Sequence, residues 1–141
     1  MPSAEFTRDA LRDWGRALGA RLRAPTLVTL RGNLGSGKTT LVQAIAEGLG
    51  VTDDVTSPTY ALVHHYATPQ GPVHHLDLYR LRDAAQMAQL GWDDLLRAGG
   101  IILVEWSERG GDAVPQAQVA LELAHVPGRA DLRRLTWEEH A

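Results

Sequence analysis

GNLGSGKTT, running from Gly32 to Thr40, holds the only lysine in a chain of 141 residues; the other 13 of the 14 basic residues are arginine. The stretch fits G-x-x-x-x-G-K-[ST] without a mismatch. It follows an apolar run, TLVTLRG (26–32), that reads as a buried strand, and it opens TTLVQAIAEGLG (39–50), which reads as a helix ended by Gly50. In that setting Gly32, Gly35 and Gly37 permit backbone angles and close approach that a Cβ would block. The loop and first turn, Gly32, Asn33, Leu34, Gly35, Ser36, Gly37, Lys38, Thr39 and Thr40, then offer a concavity of N–H groups to phosphate oxygens, reinforced by the positive end of the helix. Lys38 supplies a compact point charge where arginine's planar fork has a different shape, and the Thr39 hydroxyl is placed to ligate Mg²⁺. The plainer alternative is a glycine-rich turn before a helix.

Composition narrows the partners. Hydrophobic residues make up 44% and charged residues 22%, as in ordinary globular domains, and the length suits one domain over residues 1–141. A net charge of -3 leaves no global basic field for a nucleic-acid backbone, so any such role is local or exercised through a partner. With no cysteine the chain makes neither disulfides nor thiolate metal sites. No apolar run approaches the ~20 residues needed to span a bilayer, and residues 1–15 contain no signal-peptide core, so a cytoplasmic location is expected.

Elsewhere, residues 4–22 read as an amphipathic helix. Leu11, Trp14, Leu18 and Leu22 fall within about 80° at ~100° per residue, beside a stripe of Arg8, Arg12 and Arg16. That stripe is either a solvated flank or a partner contact. YALVHHY and VHHLDLY alternate about ATPQGP, which predicts an antiparallel hairpin. AQMAQLGWDDLLRAGG is helical with glycine breaks, and IILVEW (101–106) is the run expected of a strand covered on both faces. A linker, SERGGDAVPQ, leads to a second hairpin, VALELAHV with DLRRLTW. The expected fold class is α/β, a P-loop NTPase-like three-layer sandwich with a mixed sheet that includes antiparallel hairpins.

Which nucleotide is held, and what acts on it? Guanine specificity in the common P-loop GTPases uses N-K-x-D, which a chain with Lys38 as its sole lysine cannot contain; adenine, and so ATP, is favoured. A hydrolytic site needs a carboxylate at the end of a neighbouring buried strand, and IILVEW provides Glu105, unless it is an edge glutamate in solvent. In VHHLDLYRL a strand puts His75, Asp77 and Tyr79 on one face. Asp77 either serves metal or water at the site or pairs with Arg80 or Arg82. His64 and His65 lie opposite His75 and His74 in the inferred hairpin, leaving open a zinc site, support of the nucleotide site by His75, or plain sheet histidines. In SPTY (57–60), Thr59 either senses the γ-phosphate or belongs to a structural turn.

GNLGSGKTT, SPTYALVHHY, HHLDLYRL and LVEW, in this order and at these separations, resemble the TsaE (YjeE) family, over about Thr7 to Trp106 and more loosely to the end. The resemblance implies a Mg²⁺-dependent ATPase that supports a TsaB–TsaD complex in threonylcarbamoylation of the tRNA adenosine beside the anticodon, resetting the complex between turnovers. It implies that Lys38 grips the phosphates, Thr39 and Glu105 hold Mg²⁺, Asp77 acts in hydrolysis and Thr59 senses the γ-phosphate. The resemblance also implies that Trp106 falls near the nucleotide or partner surface, unless it is a core indole, that Thr7 falls near the base, and that Arg129 covers its far side. In one departure, Gln86 and Met87 fall where the family usually has glutamate and leucine. Two other readings stand beside this one: a small-molecule kinase on the same scaffold, and a non-hydrolysing module gated by nucleotide. A kinase predicts an arginine-rich lid, whereas residues 80–99 contain only Arg80, Arg82 and Arg97.

Overall fold

The computed structural model describes residues 2–33, 35–52, 63–83 and 85–140. In chain order these form β1 (Ser3–Phe6), α1 (Arg8–Arg21), β2 (Thr26–Arg31), α2 (Lys38–Leu49), β3 (Val63–Thr68) and β4 (Gly71–Asp77). Short helices α3 (Gln86–Gln89) and α4 (Trp92–Ala98) follow, then β5 (Ile101–Glu105), β6 (Val119–Val126) and β7 (Arg129–Glu139). The strands make one seven-stranded sheet in the order β1-β7-β6-β2-β5-β4-β3. Its centre, β6-β2-β5-β4, is parallel; β3 on one side and β7 with β1 on the other are antiparallel additions.

Alternation divides the strands between two cores. Val28, Leu30, Ile101 and Leu103 pack with Leu11 and Leu18 of α1 and Leu41 and Ile45 of α2. The intervening Leu27, Ile102 and Val104, with Leu76, pack against Met87 of α3 and Trp92 of α4. The sheet therefore lies between two helical layers, the expected three-layer sandwich, and β5 is buried at every position. Helices α1 and α2 touch at backbone distance. A Cβ added to Gly19 would meet the Ile45 carbonyl, and one added to Gly48 would meet the Arg16 carbonyl.

Two expectations change. The first helix does not begin at residue 4: Ser3–Phe6 pair with β7, from Ser3↔Thr136 to Phe6↔Arg133. Thr7 ends that strand by capping α1, its Oγ1 accepting the Ala10 N–H at 3.2 Å. The arginine stripe is mainly solvated, with Arg12 beside Asp9 and Arg16 between Asp13 and Glu47. The stretch assigned as linker begins with a 3-10 segment, Ser107–Ala113, and both hairpins form as expected. At the departure from the family pattern, Met87 is a core side chain, and Gln86 Oε1 accepts the Arg82 N–H at 2.9 Å.

Candidate nucleotide site

The ends of β2, β4 and β5 and the start of α2 meet at the carboxyl edge of the parallel strands, where open α/β sheets form their ligand crevices. The turn after β2 is closed by the Ser36 N–H donating to the Asn33 carbonyl at 3.1 Å. Gly32 has φ 153°, and a Cβ there would sit 2.6 Å from Ser36 Oγ and 2.7 Å from the Leu123 carbonyl. Gly37, at φ 101°, turns the chain into α2, where its carbonyl accepts the Leu41 N–H at 3.0 Å. Lys38 is thus the first residue of the helix.

Beside this turn lies a cavity of about 450 Å³. Gly35, Gly37, Lys38, Thr39 and Thr40 form one wall; Asp77, Glu105 and Trp106 form another. Arg8 and Leu11 of α1 and Ala130, Asp131 and Arg133 of the last hairpin complete it. Gly32, Asn33 and Ser36 instead line an adjoining recess, beside which Arg31 pairs with Glu108 at 3.2 Å. Leu34 and Thr59 lie outside the described residues.

Neither of the two candidates for the base lines the cavity itself, but their chain neighbours Arg8 and Ala130 do. Thr7 spends its hydroxyl on the helix cap, and its neighbour Arg8 lines the cavity. Arg129 makes a two-pronged bond to Asp131, with both nitrogens at 3.0 Å, and Asp131 is the one that lines the cavity. Sequence reasoning missed Arg133. Its Nη1 donates to the Leu132 carbonyl at 2.8 Å and its Nη2 reaches the Gly35 carbonyl at 3.4 Å, tying the last hairpin to the phosphate loop. The period-two spacing from Arg133 to the core residue Leu135 placed it on the site's face, but only the strand order reveals what it faces.

The charged groups are deeply placed. Lys38 is 6% exposed, and its Nζ finds no hydrogen-bond acceptor among the described residues. It lies 3.7 Å from the centre of the Trp106 ring. Burial pushes the Lys38 ammonium below the ordinary lysine range, with Glu105, Asp77 and Glu108 opposing the shift. Asp77 and Glu105 are paired in register on adjacent parallel strands. Burial raises Asp77 above the usual carboxylate range; the Tyr79 N–H, donated to its Oδ1 at 3.0 Å, works against the shift, and the Glu105 charge adds to it. Asp77 lines the cavity, and no ion pair to Arg80 or Arg82 occurs among the described contacts. Glu105 is only 2% exposed, and its Oε2 accepts from His75 Nε2 at 2.7 Å.

The four hairpin histidines do not converge. His64 pairs with His75 and His65 with His74, as the sequence suggests, but alternation sends the two pairs to opposite faces. No group of three metal-binding side chains forms among the described residues, which removes the zinc reading there. Mg²⁺ makes a different demand: one or two carboxylates, with the remaining positions left to water and phosphate oxygens. Thr39, Glu105 and Asp77 are an oxygen donor set of that kind, and the buried Lys38 ammonium, without a hydrogen-bond acceptor among the described residues, is suited to the phosphates.

Known proteins resemble this chain in sequence and in fold. The family model described as threonylcarbamoyl adenosine biosynthesis protein TsaE matches residues 6–134. A Nostoc sp. protein named tRNA threonylcarbamoyladenosine biosynthesis protein TsaE is 38% identical over 105 residues, covering 72% of this chain and 65% of its own length. A Haemophilus influenzae protein of the same name is 39% identical over 97 residues, covering 69% of this chain and 61% of its own. The matched stretch thus spans just under two thirds of each relative. The crystal structure of Bacillus subtilus YdiB superposes with a TM-score of 0.78 at 26% identity, over 99% of this chain and 87% of that one.

Proposed function

This chain belongs to the TsaE family, and from that premise we propose that it is a Mg²⁺-dependent ATPase serving tRNA threonylcarbamoyladenosine biosynthesis. The observation that carries the reading is the buried Lys38 ammonium at the start of α2, without a hydrogen-bond acceptor among the described residues and facing two carboxylates paired in register. Such an arrangement is poised for an anion that brings its own cation, as a nucleotide triphosphate with Mg²⁺ does.

In this mechanism the N–H groups of the phosphate loop and the Lys38 ammonium hold the β- and γ-phosphates. Thr39 and Glu105 would hold Mg²⁺, which would supply positive charge against the charge developing on the phosphoryl oxygens. Asp77, whose proton affinity is raised by burial, orients the attacking water and takes up its proton. Hydrolysis resets a TsaB–TsaD-type complex between rounds of modification, and tRNA is met only through that complex.

The test is ATP turnover by the purified protein, alone and with the TsaB–TsaD pair. Turnover is expected to be slow alone and to rise with the pair; an unchanged rate with authentic partners overturns the partner-dependent reading. Reconstituting tRNA modification with and without this protein then decides whether turnover of the complex depends on it.

A further inference from the structure

The bond between His75 and Glu105 joins two residues that are 1% and 2% exposed. His75 stands on β4 diagonally across from Glu105: its register partner on β5 is Leu103, two residues earlier on the same face. The neighbouring positions on that face, Val73 and Leu103, are apolar and belong to the core beneath α1 and α2. Packing alone would be met there by another aliphatic residue, without the desolvation cost of an imidazole. That cost is visible in His75 Nδ1, which is buried and has no hydrogen-bond partner among the described residues.

A carboxylate as buried as Glu105 also requires a donor. The chain's one lysine does not provide it, since Lys38 Nζ lies against the Trp106 ring and bonds to no oxygen among the described residues. The Nε2–H of His75 does provide one, at 2.7 Å. Glu105 borders the cavity, whereas His75 does not.

We propose that His75 is a positioning residue for the ATPase reaction: by donating to Oε2 it fixes the rotamer of Glu105 and leaves the rest of that carboxylate directed to the Mg²⁺–nucleotide complex. The inference rests on the proposed function, and a metal-ligating group is commonly held by an outer partner in this way. Because the contact is made through Nε2, the position of the donor decides the outcome. A glutamine amide nitrogen can reach the place of Nε2, whereas asparagine is too short and methionine fills the volume without any N–H.

The experiment compares His75→Gln, His75→Asn and His75→Met in the full chain. Three readouts are taken: ATP turnover with the partner pair, nucleotide affinity as a function of Mg²⁺, and nucleotide affinity in chelator. His75→Asn and His75→Met are expected to lower kcat by about 10- to 100-fold and to raise the Mg²⁺ needed for half-maximal effect. Affinity in chelator should be unchanged, and His75→Gln should recover most of both losses. A purely structural histidine would instead lower thermal stability and leave the Mg²⁺ dependence where it was. Equal kcat and Mg²⁺ dependence in the folded variants overturn the proposal, as does a glutamine variant no better than methionine. Methionine replaces asparagine in the comparison if the latter fails to fold. If the unmodified protein hydrolyses no ATP even with its partners, the ATPase reading fails, and the Mg²⁺ dependence of nucleotide binding still decides the role of His75.

Discussion

Strands β4 and β5 have two faces built from alternate residues, and towards the carboxyl ends of the strands those faces hold opposite chemistry. Towards α2 stand His75, Asp77 and Glu105, all at least half-buried and all polar. Towards α3 and α4 stand Leu76, Ile102 and Val104, with Leu78, Met87 and Trp92, and that cluster is apolar throughout. One face spends stability to keep charges poorly hydrated; the other supplies it by burying hydrocarbon. Since both faces share the same backbone, the apolar one fixes the strand ends that bring Asp77 and Glu105 into register. Substitutions on the two faces should therefore separate stability from activity.

The largest effect expected is on the apolar face. Leu76 is fully buried, and Leu76→Ala removes most of its side chain from a packed layer. Chemical denaturation should show a loss of about 2–5 kcal/mol, while the variant that remains folded keeps its nucleotide affinity. A specific loss of ATP binding at unchanged stability would break the division between the faces.

Next comes Lys38→Met on the polar side of the molecule. The ammonium is held below its ordinary proton affinity by burial, so at neutral pH its charge opposes folding. Methionine should leave the melting temperature unchanged or higher, yet ATP affinity should fall by about 10- to 100-fold, the worth of a charge-assisted bond to phosphate. Calorimetric titration with ATP checks the affinity, and a destabilised variant that still binds ATP would reverse the assignment.

Much of this contrast was legible in the residues because its carriers are local. Gly32, Gly37 and Lys38 lie within seven residues whose spacing matches a phosphate-binding pattern, and the run IILVE announces burial on both sides. Alternation along VHHLD separated His75 and Asp77 from Leu76 before any strand order was known. The misses depend on distant pairing. Ser3–Phe6 is too short to show a period and became a strand because β7 offered it an edge. Arg133 acquired a role through a sheet in which β7 lies beside β6, next to β2. The Glu105 partner of His75 is 30 residues away and diagonal in register, which no local pattern encodes.

The smallest effect isolates the charge on the polar face. Asp77 has its proton affinity raised above the ordinary aspartate value of 3.8, chiefly by burial. A carboxyl with a raised folded-state pKa favours the folded protein only while it is protonated. That contribution is complete below 3.8 and is lost as pH rises through the raised folded value, leaving the ionised group as a burden at neutral pH. Asp77→Asn keeps an oxygen to accept the Tyr79 N–H and removes only the charge. Without nucleotide, its melting temperature should therefore match that of the parent at the acidic end and exceed it increasingly as pH approaches neutrality. Adding Lys38→Met should widen the gap, because the Lys38 charge lowers the Asp77 pKa and so offsets part of the burial penalty. A difference that stays constant with pH would show that Asp77 does not carry the charge stress assigned to this face.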